Sequence, residues 1–242
     1  YLRYIITLLM FQDVWSLGLS PENNGPFWSI TFEVAYYIIF AVFIYTVNKP
    51  KKVLILLAVV LVVGPTIMFL FPVWLLGVWL YKRHSTEARL ANPAISIAMF
   101  VAGLALLALS PTYRAYFDGQ IFGVDRESPV GDYLDALAIT LNLLAAPVVA
   151  RIIGPALLYF STPIRFLASL TFSFYLFHQP LVRLLAGVSP FIDSPSSFMN
   201  RLFVLGGTFL IVVLVGLPCE KYKAKVQCYL RKLGSKNELS IR

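Results

Sequence analysis

Charged residues are scarce in this sequence. Asp, Glu, Lys and Arg make up 13% of its 242 residues, against roughly 25% in ordinary soluble domains. Hydrophobic residues reach 59%, and the mean hydropathy is +0.77. So little charge cannot cover a soluble domain of this length in water, and a disordered chain would hold far fewer apolar residues. The composition excludes both classes and indicates a polytopic membrane protein.

Cysteine and the signatures of soluble enzymes are also missing. The two cysteines, Cys219 and Cys228, make no disulfide framework and lack metal-ligand spacing. The sequence has no phosphate-binding glycine loop, no His-Glu-x-x-His and no Gly-x-Ser-x-Gly. We therefore expect neither a metal nor a bound cofactor. The net charge of +8 comes from loops and the tail rather than from one amphipathic face, which argues against nucleic acid as a partner.

Long apolar runs take up most of the chain. Each is far longer than a barrel strand of about 10 residues, so the segments are expected to be helices. We predict an all-α, polytopic transmembrane helix bundle, with one membrane domain over residues 1–218 and a basic cytoplasmic tail over 219–242. The sequence shows no basic stretch followed by a short apolar run and a cleavage site, so we expect no signal peptide within it. The chain begins within an apolar segment at Tyr1, and we expect it to be part of a longer protein. About eight segments are predicted, at residues 2–14, 27–47, 53–71, 73–81, 93–109, 133–150, 166–188 and 198–218.

The loops between these segments differ in charge, which predicts the orientation. By the positive-inside rule, the basic loops and tail lie in the cytoplasm, and the acidic loops lie outside. The short segment 73–81 either extends back past Pro72 or forms a half-span, and the alternation holds only if it crosses the membrane. The localisation predicted is a bacterial-type inner membrane, with the C-terminus in the cytoplasm. The basic loops carry Lys49, Lys51, Lys52, Lys82, Arg83, Arg89, Arg151 and Arg165, and the outer loops carry Arg114, Arg126, Glu22, Asp118, Asp125, Glu127 and Asp193.

Two predicted spans carry polar side chains on one face. Ser29, Glu33 and Tyr37 are spaced i, i+4, i+8, and Glu33 lies about 9 Å below the outer end of its helix. An ionisable group within a span is costly and is a functional candidate by default. The alternative is a carboxylate that only hydrogen-bonds a neighbouring helix.

The second polar face contains Thr171, Tyr175 and His178, spaced i, i+4, i+7. Pro180 is expected to kink this helix near His178, and Arg183 follows further out. His178 and Tyr37 lie at similar depths, so we expect the two stripes to meet in the outer half of the membrane. A histidine that serves only packing is the alternative. Asp132 and Asp135, at the outer start of another span, are interpreted as helix caps, and Trp15, Trp28, Trp74 and Trp79 as an aromatic belt.

Two motifs resemble a known family. The stretch Asn-Gly-Pro-Phe-Trp-Ser-Ile-Thr-Phe-Glu-Val-Ala-Tyr-Tyr, residues 24–37, resembles the Trp-Ser-x-x-x-Glu-x-x-x-Tyr signature of the integral-membrane acyltransferase 3 family. Residues 166–180 resemble its late helix with a Ser-x-Ser/Thr-x-Tyr-Leu-x-His run. The matching positions are Trp28, Ser29, Glu33 and Tyr37 in the first motif, and Ser173, Tyr175 and His178 in the second.

The resemblance implies a fold of about ten membrane helices, of which this chain looks like the last two thirds. It implies transfer of an acyl group, most often acetyl, from cytoplasmic acyl-CoA to a hydroxyl of a cell-envelope or exported carbohydrate, free or lipid-linked. The implied partners are acyl-CoA as donor substrate, the glycan acceptor and membrane lipids. The implied catalytic candidates are Glu33, Tyr37 and His178, and the substrate-binding candidates are Trp28, Ser29, Tyr175 and Arg183.

One part of the family pattern is not found in the sequence. The family has an Arg or Lys followed by a His in its first helices, and an Arg-x-x-Arg on a cytoplasmic loop. We expect the principal catalytic histidine upstream of Tyr1, so that these residues alone are inactive. A multi-pass transporter or flippase that uses buried Glu33 and His178 is the alternative function. Further apolar repeats with inverted symmetry upstream would favour it.

Overall fold

The computed structural model describes residues 1–19, 24–85, 92–119, 124–191, 194 and 196–239. Within these ranges the secondary structure consists of helices joined by short turns and loops, which confirms the all-α prediction. Short 3₁₀ turns cover Val14–Ser16 and Gly25–Phe27, and a π-helical turn covers Leu202–Gly206. The α-helices are α1 Leu2–Leu8, α2 Trp28–Tyr45, α3 Lys49–Val63, α4 Pro65–Ser85, α5 Pro93–Ala108, α6 Ser110–Tyr116, α7 Pro129–Tyr159, α8 Ser161–Gly187, α9 Phe198–Arg201 and α10 Gly207–Leu239.

Fewer helices than predicted are suited to crossing a membrane. Within the described ranges, four are long and apolar enough, or five if α5 and the bent α6 form one span, against about eight segments expected. The difference has two causes. Helices α1, α3 and α5 have 7, 15 and 16 residues, short of the roughly 20 that a span needs. Helix α8 has 27 residues, but polar side chains interrupt its apolar surface.

The break between the third and fourth helices is not where the sequence predicted it. The predicted segments 53–71 and 73–81 meet at Pro72, whereas the structure breaks at Gly64, which has a φ of +86°. A Cβ there would lie 3.1 Å from the backbone of Trp15, so both the backbone conformation and the close approach require glycine. Pro72 stays within α4. The short segment 73–81 thus extends back past Pro72, and helix α4 has 21 residues, enough for a complete crossing.

The chain divides into two compact units. Unit 1 contains Tyr1–Ser20 and Trp28–Tyr159, and unit 2 contains Pro21–Phe27 and Phe160–Arg242. The core of unit 1 joins α2 and α4 through Phe32, Tyr36 and Ile67. In unit 2, α8 packs along α10. Helix α10 continues past Pro218 to Leu239, so the described part of the basic tail is helical, and the boundary at 218/219 stays a prediction.

Two prolines within helices, Pro147 and Pro180, share a structural feature. A proline has no N–H, so the carbonyl four residues before it lacks its helical donor. In unit 1, His84 Nε2 lies 3.1 Å from Leu143 O, four residues before Pro147. In unit 2, Asn24 Nδ2 donates to Leu176 O at 3.0 Å, four before Pro180. Side chains from other segments thus satisfy the carbonyls that the prolines leave open.

Candidate active site

The first polar stripe lies on α2, in unit 1. The helix buries Thr31, Phe32, Ala35, Tyr36 and Ile39 on one side, and this side packs into the core. At 100° per residue, Ser29 lies about 90°, Glu33 about 130° and Tyr37 about 170° around the helix from the middle of this side. Glu33 and Tyr37 therefore face away from the core of their own unit, and Ser29 lies at the edge of the buried side.

The Glu33 carboxylate lies on the uncovered side of α2. Its side chain is exposed, and no other side chain in the described part of the chain pairs with it. Tyr37 is 57% exposed and touches the edge of Trp74, with ring centroids 6.0 Å apart. The described residues do not supply the neighbouring helix partner that a purely structural Glu33 would need. The carboxylate is available for chemistry or for a further partner.

Trp28 opens α2 within a network of charges. Arg126 lies over its indole ring, 4.4 Å from the centroid. The same guanidinium donates to both carboxylate oxygens of Asp132, from Nε at 2.8 Å and from Nη2 at 3.1 Å. Trp28 also meets Phe32 edge-on, with centroids 5.0 Å apart. The Trp28 ring is therefore packed within unit 1, with the Arg126 cation on one face. The proposed contact of Trp28 with substrate stays a prediction.

Asp132 and Asp135 do more than lie at the start of a helix. Arg114 donates from Nη2 to Asp132 at 2.9 Å and from Nη1 to Asp135 at 2.5 Å. Asp135 also accepts from the hydroxyls of Ser110, at 2.8 Å, and Tyr113, at 2.5 Å. The interpretation of these residues as helix caps missed an ion-pair network that ties α6 to α7. One signal in the sequence was that both outer-loop basic residues, Arg114 and Arg126, are arginines able to form bidentate pairs.

Asp13 is a further acidic residue that the sequence analysis did not single out. It follows α1 in a segment outside the candidate spans. Burial raises the pKa of its carboxyl, and the nearby Arg126 guanidinium offsets this in part. The Asp13 Oδ2 atom and the hydroxyl of Thr31, a residue that is 2% exposed, have no hydrogen-bond partner within the described ranges. Unsatisfied buried polar groups of this kind are costly.

The second stripe lies on α8, in unit 2, and its histidine is anchored to its own helix. His178 Nδ1 lies 3.0 Å from Phe174 O and 2.9 Å from Tyr175 O. Both carbonyl oxygens can only accept, so Nδ1 carries a proton, and in the neutral imidazole Nε2 then carries the lone pair. No hydrogen bond to Nε2 is formed by the residues that the structure describes. This tautomer is the one that lets Nε2 accept a proton.

A cavity of about 430 Å³ opens beside this histidine. Its walls come from α8 and from Phe209 of α10 and are mostly apolar. The ring of His178 stacks parallel to Phe174, with centroids 6.2 Å apart, and this contact fixes its orientation. The cavity is open on one side, and His178 is half-buried in its wall. The lining residues are Leu167, Leu170, Thr171, Phe174, Tyr175, His178 and Phe209.

Tyr175 and Asn24 join the turn before α2 to α8. The Tyr175 hydroxyl donates to Pro26 O at 2.6 Å, and Asn24 donates to Leu176 O. A Cβ on Gly25 would lie 2.9 Å from Gln179 Oε1, so glycine permits this close approach. The sequence indicates a turn at Asn24, the residue that opens the first motif, but nothing in its spacing predicts the contact with Leu176 O. Arg183 lies five residues beyond His178, exposed near the end of α8.

The basic residues proposed to lie in the cytoplasm fall at one end of unit 1. Helix α2 ends at Tyr45, α3 begins at Lys49, and α4 ends with Lys82 and Arg83 in its last turn. Because the three helices are consecutive hairpins, these ends share one side of the unit. Lys52 lies 5.1 Å over the ring of Phe43, and Arg83 5.7 Å over Trp79. Arg89, Glu22 and Asp193 of the predicted topology lie outside the described residues.

The two sets of predicted site residues thus lie in different units. Unit 1 holds Trp28, Ser29, Glu33 and Tyr37, and unit 2 holds Tyr175, His178 and Arg183. The expectation that they meet stays a prediction. In the described part of the chain, no three His, Cys, Asp or Glu side chains are grouped to hold a metal ion.

Comparison with known proteins supports one assignment. The family model described as "Acyltransferase domain", Acyl_transf_3, matches residues 2–218, which include both motifs and both units' candidate residues. No curated protein and no solved structure matches the chain. The match spans most of the sequence and agrees with the motif order on α2 and α8. The chain therefore belongs to the acyltransferase 3 family, and it is a membrane acyltransferase.

Proposed function

We propose that this acyltransferase moves an acyl group, acetyl in the simplest case, from acyl-CoA to a hydroxyl of a cell-envelope or exported carbohydrate. The observation that carries the proposal is the state of His178. Its Nδ1 proton is held by two carbonyl oxygens, and the ring lines a mostly apolar cavity. A neutral histidine with a free Nε2 in a site of low polarity is suited to act as a general base.

The reaction proposed has one base and one leaving group. His178 Nε2 takes the proton of the acceptor hydroxyl, and the hydroxyl oxygen bonds to the carbonyl carbon of the thioester. The carbon–sulfur bond then breaks, and the coenzyme A thiolate takes the proton back from the imidazolium. The proton and the electron pair balance without any further reactant.

Glu33 has a separate role in this proposal. Its carboxylate has no partner among the described residues, so it can orient a histidine and stabilise the imidazolium form, as carboxylates do in catalytic triads. The family's upstream histidine is the candidate for this partner; in this proposal its imidazolium form, held by Glu33, stabilises the oxyanion, whereas His178 takes the acceptor proton. We assign to Tyr37, one turn deeper on α2, a hydrogen bond to the oxyanion or to the sugar.

The donor is proposed to approach the basic end of unit 1. Lys49, Lys51, Lys52, Lys82 and Arg83 together concentrate positive charge where α2, α3 and α4 meet their loops. Such a field attracts the phosphates of coenzyme A. By the positive-inside rule this end is cytoplasmic, which we propose for a bacterial-type inner membrane with the C-terminus also in the cytoplasm.

The test is made in cells that express the full-length gene. Acyl esters on envelope and secreted glycans are measured by mass spectrometry for wild type, Glu33→Gln and His178→Ala at matched protein levels. His84→Gln and Glu127→Gln serve as controls, because His84 is the other histidine of the chain and Glu127 is an exposed loop acid. We expect a base-labile acyl mass in wild type and both controls, and its loss in the two site variants. Absence of any acyl mass in wild type would refute the acceptor class.

A further inference from the structure

Three consecutive carbonyl oxygens in the turn of α8 before His178 each face a side-chain nitrogen. Phe174 O and Tyr175 O both lie within 3.0 Å of His178 Nδ1. Leu176 O receives Asn24 Nδ2 at 3.0 Å. The first two carbonyls also have helical donors, the N–H groups four residues on, whereas Leu176 O has none because Pro180 follows at that distance. Asn24 therefore takes the place of the donor four residues on that Pro180 lacks.

The segment that brings Asn24 to this turn is itself held closely. The Tyr175 hydroxyl donates to Pro26 O at 2.6 Å, and Gly25 leaves room for Gln179, the residue between His178 and Pro180. Two hydrogen bonds of opposite direction thus connect the Asn24–Pro26 turn with α8. All these residues belong to unit 2.

We infer that Asn24 is a positioning residue for His178: its amide replaces the backbone N–H that Pro180 lacks and so fixes the helical turn to which the His178 ring is anchored. The inference rests on the proposed function, in which His178 acts as base. Without the amide, Leu176 O is left unsatisfied beside a mostly apolar cavity, and the turn must rearrange to reach another donor. The Nδ1 anchor, formed by the carbonyls of the same turn, is then lost.

The tautomer of His178 provides a readout that does not depend on activity. Solid-state ¹⁵N NMR of histidine-labelled full-length protein distinguishes protonated Nδ1 from protonated Nε2, and the His178 signals are assigned by difference against His178→Gln. We expect a single Nδ1–H form in wild type. In Asn24→Asp, which keeps the shape but has no N–H donor, and in Asn24→Ala, we expect a mixture of both tautomers.

Kinetics of acyl transfer give the second readout. We expect kcat to fall about tenfold or more in both Asn24 variants, the effect of one unsatisfied buried group, with the KM for the acyl donor unchanged because Asn24 contacts no donor in the proposed reaction. Asn142→Ala is the matched control. Asn142 Nδ2 also donates to a helix carbonyl, Ala138 O at 2.9 Å, but that carbonyl keeps its own backbone donor.

Pro180→Ala tests the cause. The alanine provides the missing N–H, so adding Pro180→Ala to Asn24→Ala should restore the Nδ1–H tautomer and most of kcat. Wild-type tautomer and kcat in both Asn24 variants would overturn the inference, and so would a loss of kcat with an unchanged tautomer. A tautomer shift in a protein that transfers no acyl group supports the positioning role and refutes the proposed function, so the two failures are distinguishable.

Discussion

Arg126 lies over the indole ring of Trp28, with the guanidinium carbon 4.4 Å from the ring centroid. Trp28 is the first residue of α2, and Ser29 and Glu33 follow it on the same helix. An arginine from the loop before α7 thus packs on the start of the helix that carries the first motif. Arg126 and Arg114 both pair with Asp132, and this neutralisation explains how two arginines are tolerated in a loop that the charge bias places outside.

The Arg126 contacts predict a stability effect. Arg126→Gln removes the ion pair with Asp132, whose side chain is only 10% exposed, together with the cation–π contact. We expect a loss of about 1–3 kcal/mol, which corresponds to about 2–4 °C of melting temperature for each kcal/mol in a chain of this size. Thermal unfolding of the purified protein in detergent measures it.

Arg151→Gln is the control for this measurement. Arg151 is exposed on α7, away from the charge network, and its replacement should leave the melting temperature within about 1 °C, as for most surface substitutions. Equal melting temperatures for Arg126→Gln and wild type would contradict the structural role of Arg126.

Asp13 predicts a pH dependence of stability. Burial raises the pKa of its carboxyl above the ordinary value of 3.8, so the folded state holds this proton more tightly than the unfolded state does. The contribution of Asp13 is therefore most favourable below pH 4 and is lost as the pH rises through the folded-state pKa. Asp13→Asn has no proton to lose, so it should be more stable than wild type at pH 7.5, with a difference that shrinks towards pH 4.

Melting temperatures at several pH values between 4 and 7.5 check this prediction. Asp118→Asn is the matched control, because Asp118 is exposed and its replacement should give a difference from wild type that does not vary with pH. A difference between Asp13→Asn and wild type that stays constant over the range, or grows towards low pH, would show that the Asp13 carboxyl is not destabilised by burial.

The surroundings of Gly103 indicate that α5 and α7 pack closely at this position. A Cβ at this position would lie 2.2 Å from Asn142 Nδ2 and 2.7 Å from Ala138 O, and the backbone carbonyl cannot turn away. Gly103→Ala should therefore push the two helices apart at a cost of about 1–3 kcal/mol. In Gly77→Ala the new methyl meets nothing within 4 Å, so this control should be neutral or stabilised by about 0.5–1 kcal/mol. Unfolding in detergent compares the pair; similar melting temperatures would contradict the close packing.

The sequence identified the family and the helices that bear its motifs. Ser29, Glu33 and Tyr37 share a face because any α-helix brings i, i+4 and i+8 together, and the kink that Pro180 imposes follows from proline chemistry. The number of spans and the break near residue 72 were predicted less well. Apolar composition does not separate a 15-residue helix from a full crossing, and the choice of Gly64 over Pro72 as the break depended on the distant Trp15.

Local chemistry alone accounts for what could be foreseen: an all-helical membrane protein, a Ser-Glu-Tyr stripe on one helix and a Tyr-His stripe on another. Long-range contacts decided the rest. Asn24 reaches Leu176 O across 152 positions of sequence, and Arg126 reaches Trp28 from nearly 100 positions away, so no periodicity or spacing could reveal either pair. The tautomer of His178 likewise depends on which carbonyl oxygens the folded helix presents to Nδ1, because the two nitrogens of an imidazole are equivalent in the sequence and become distinct only through the hydrogen bonds around them.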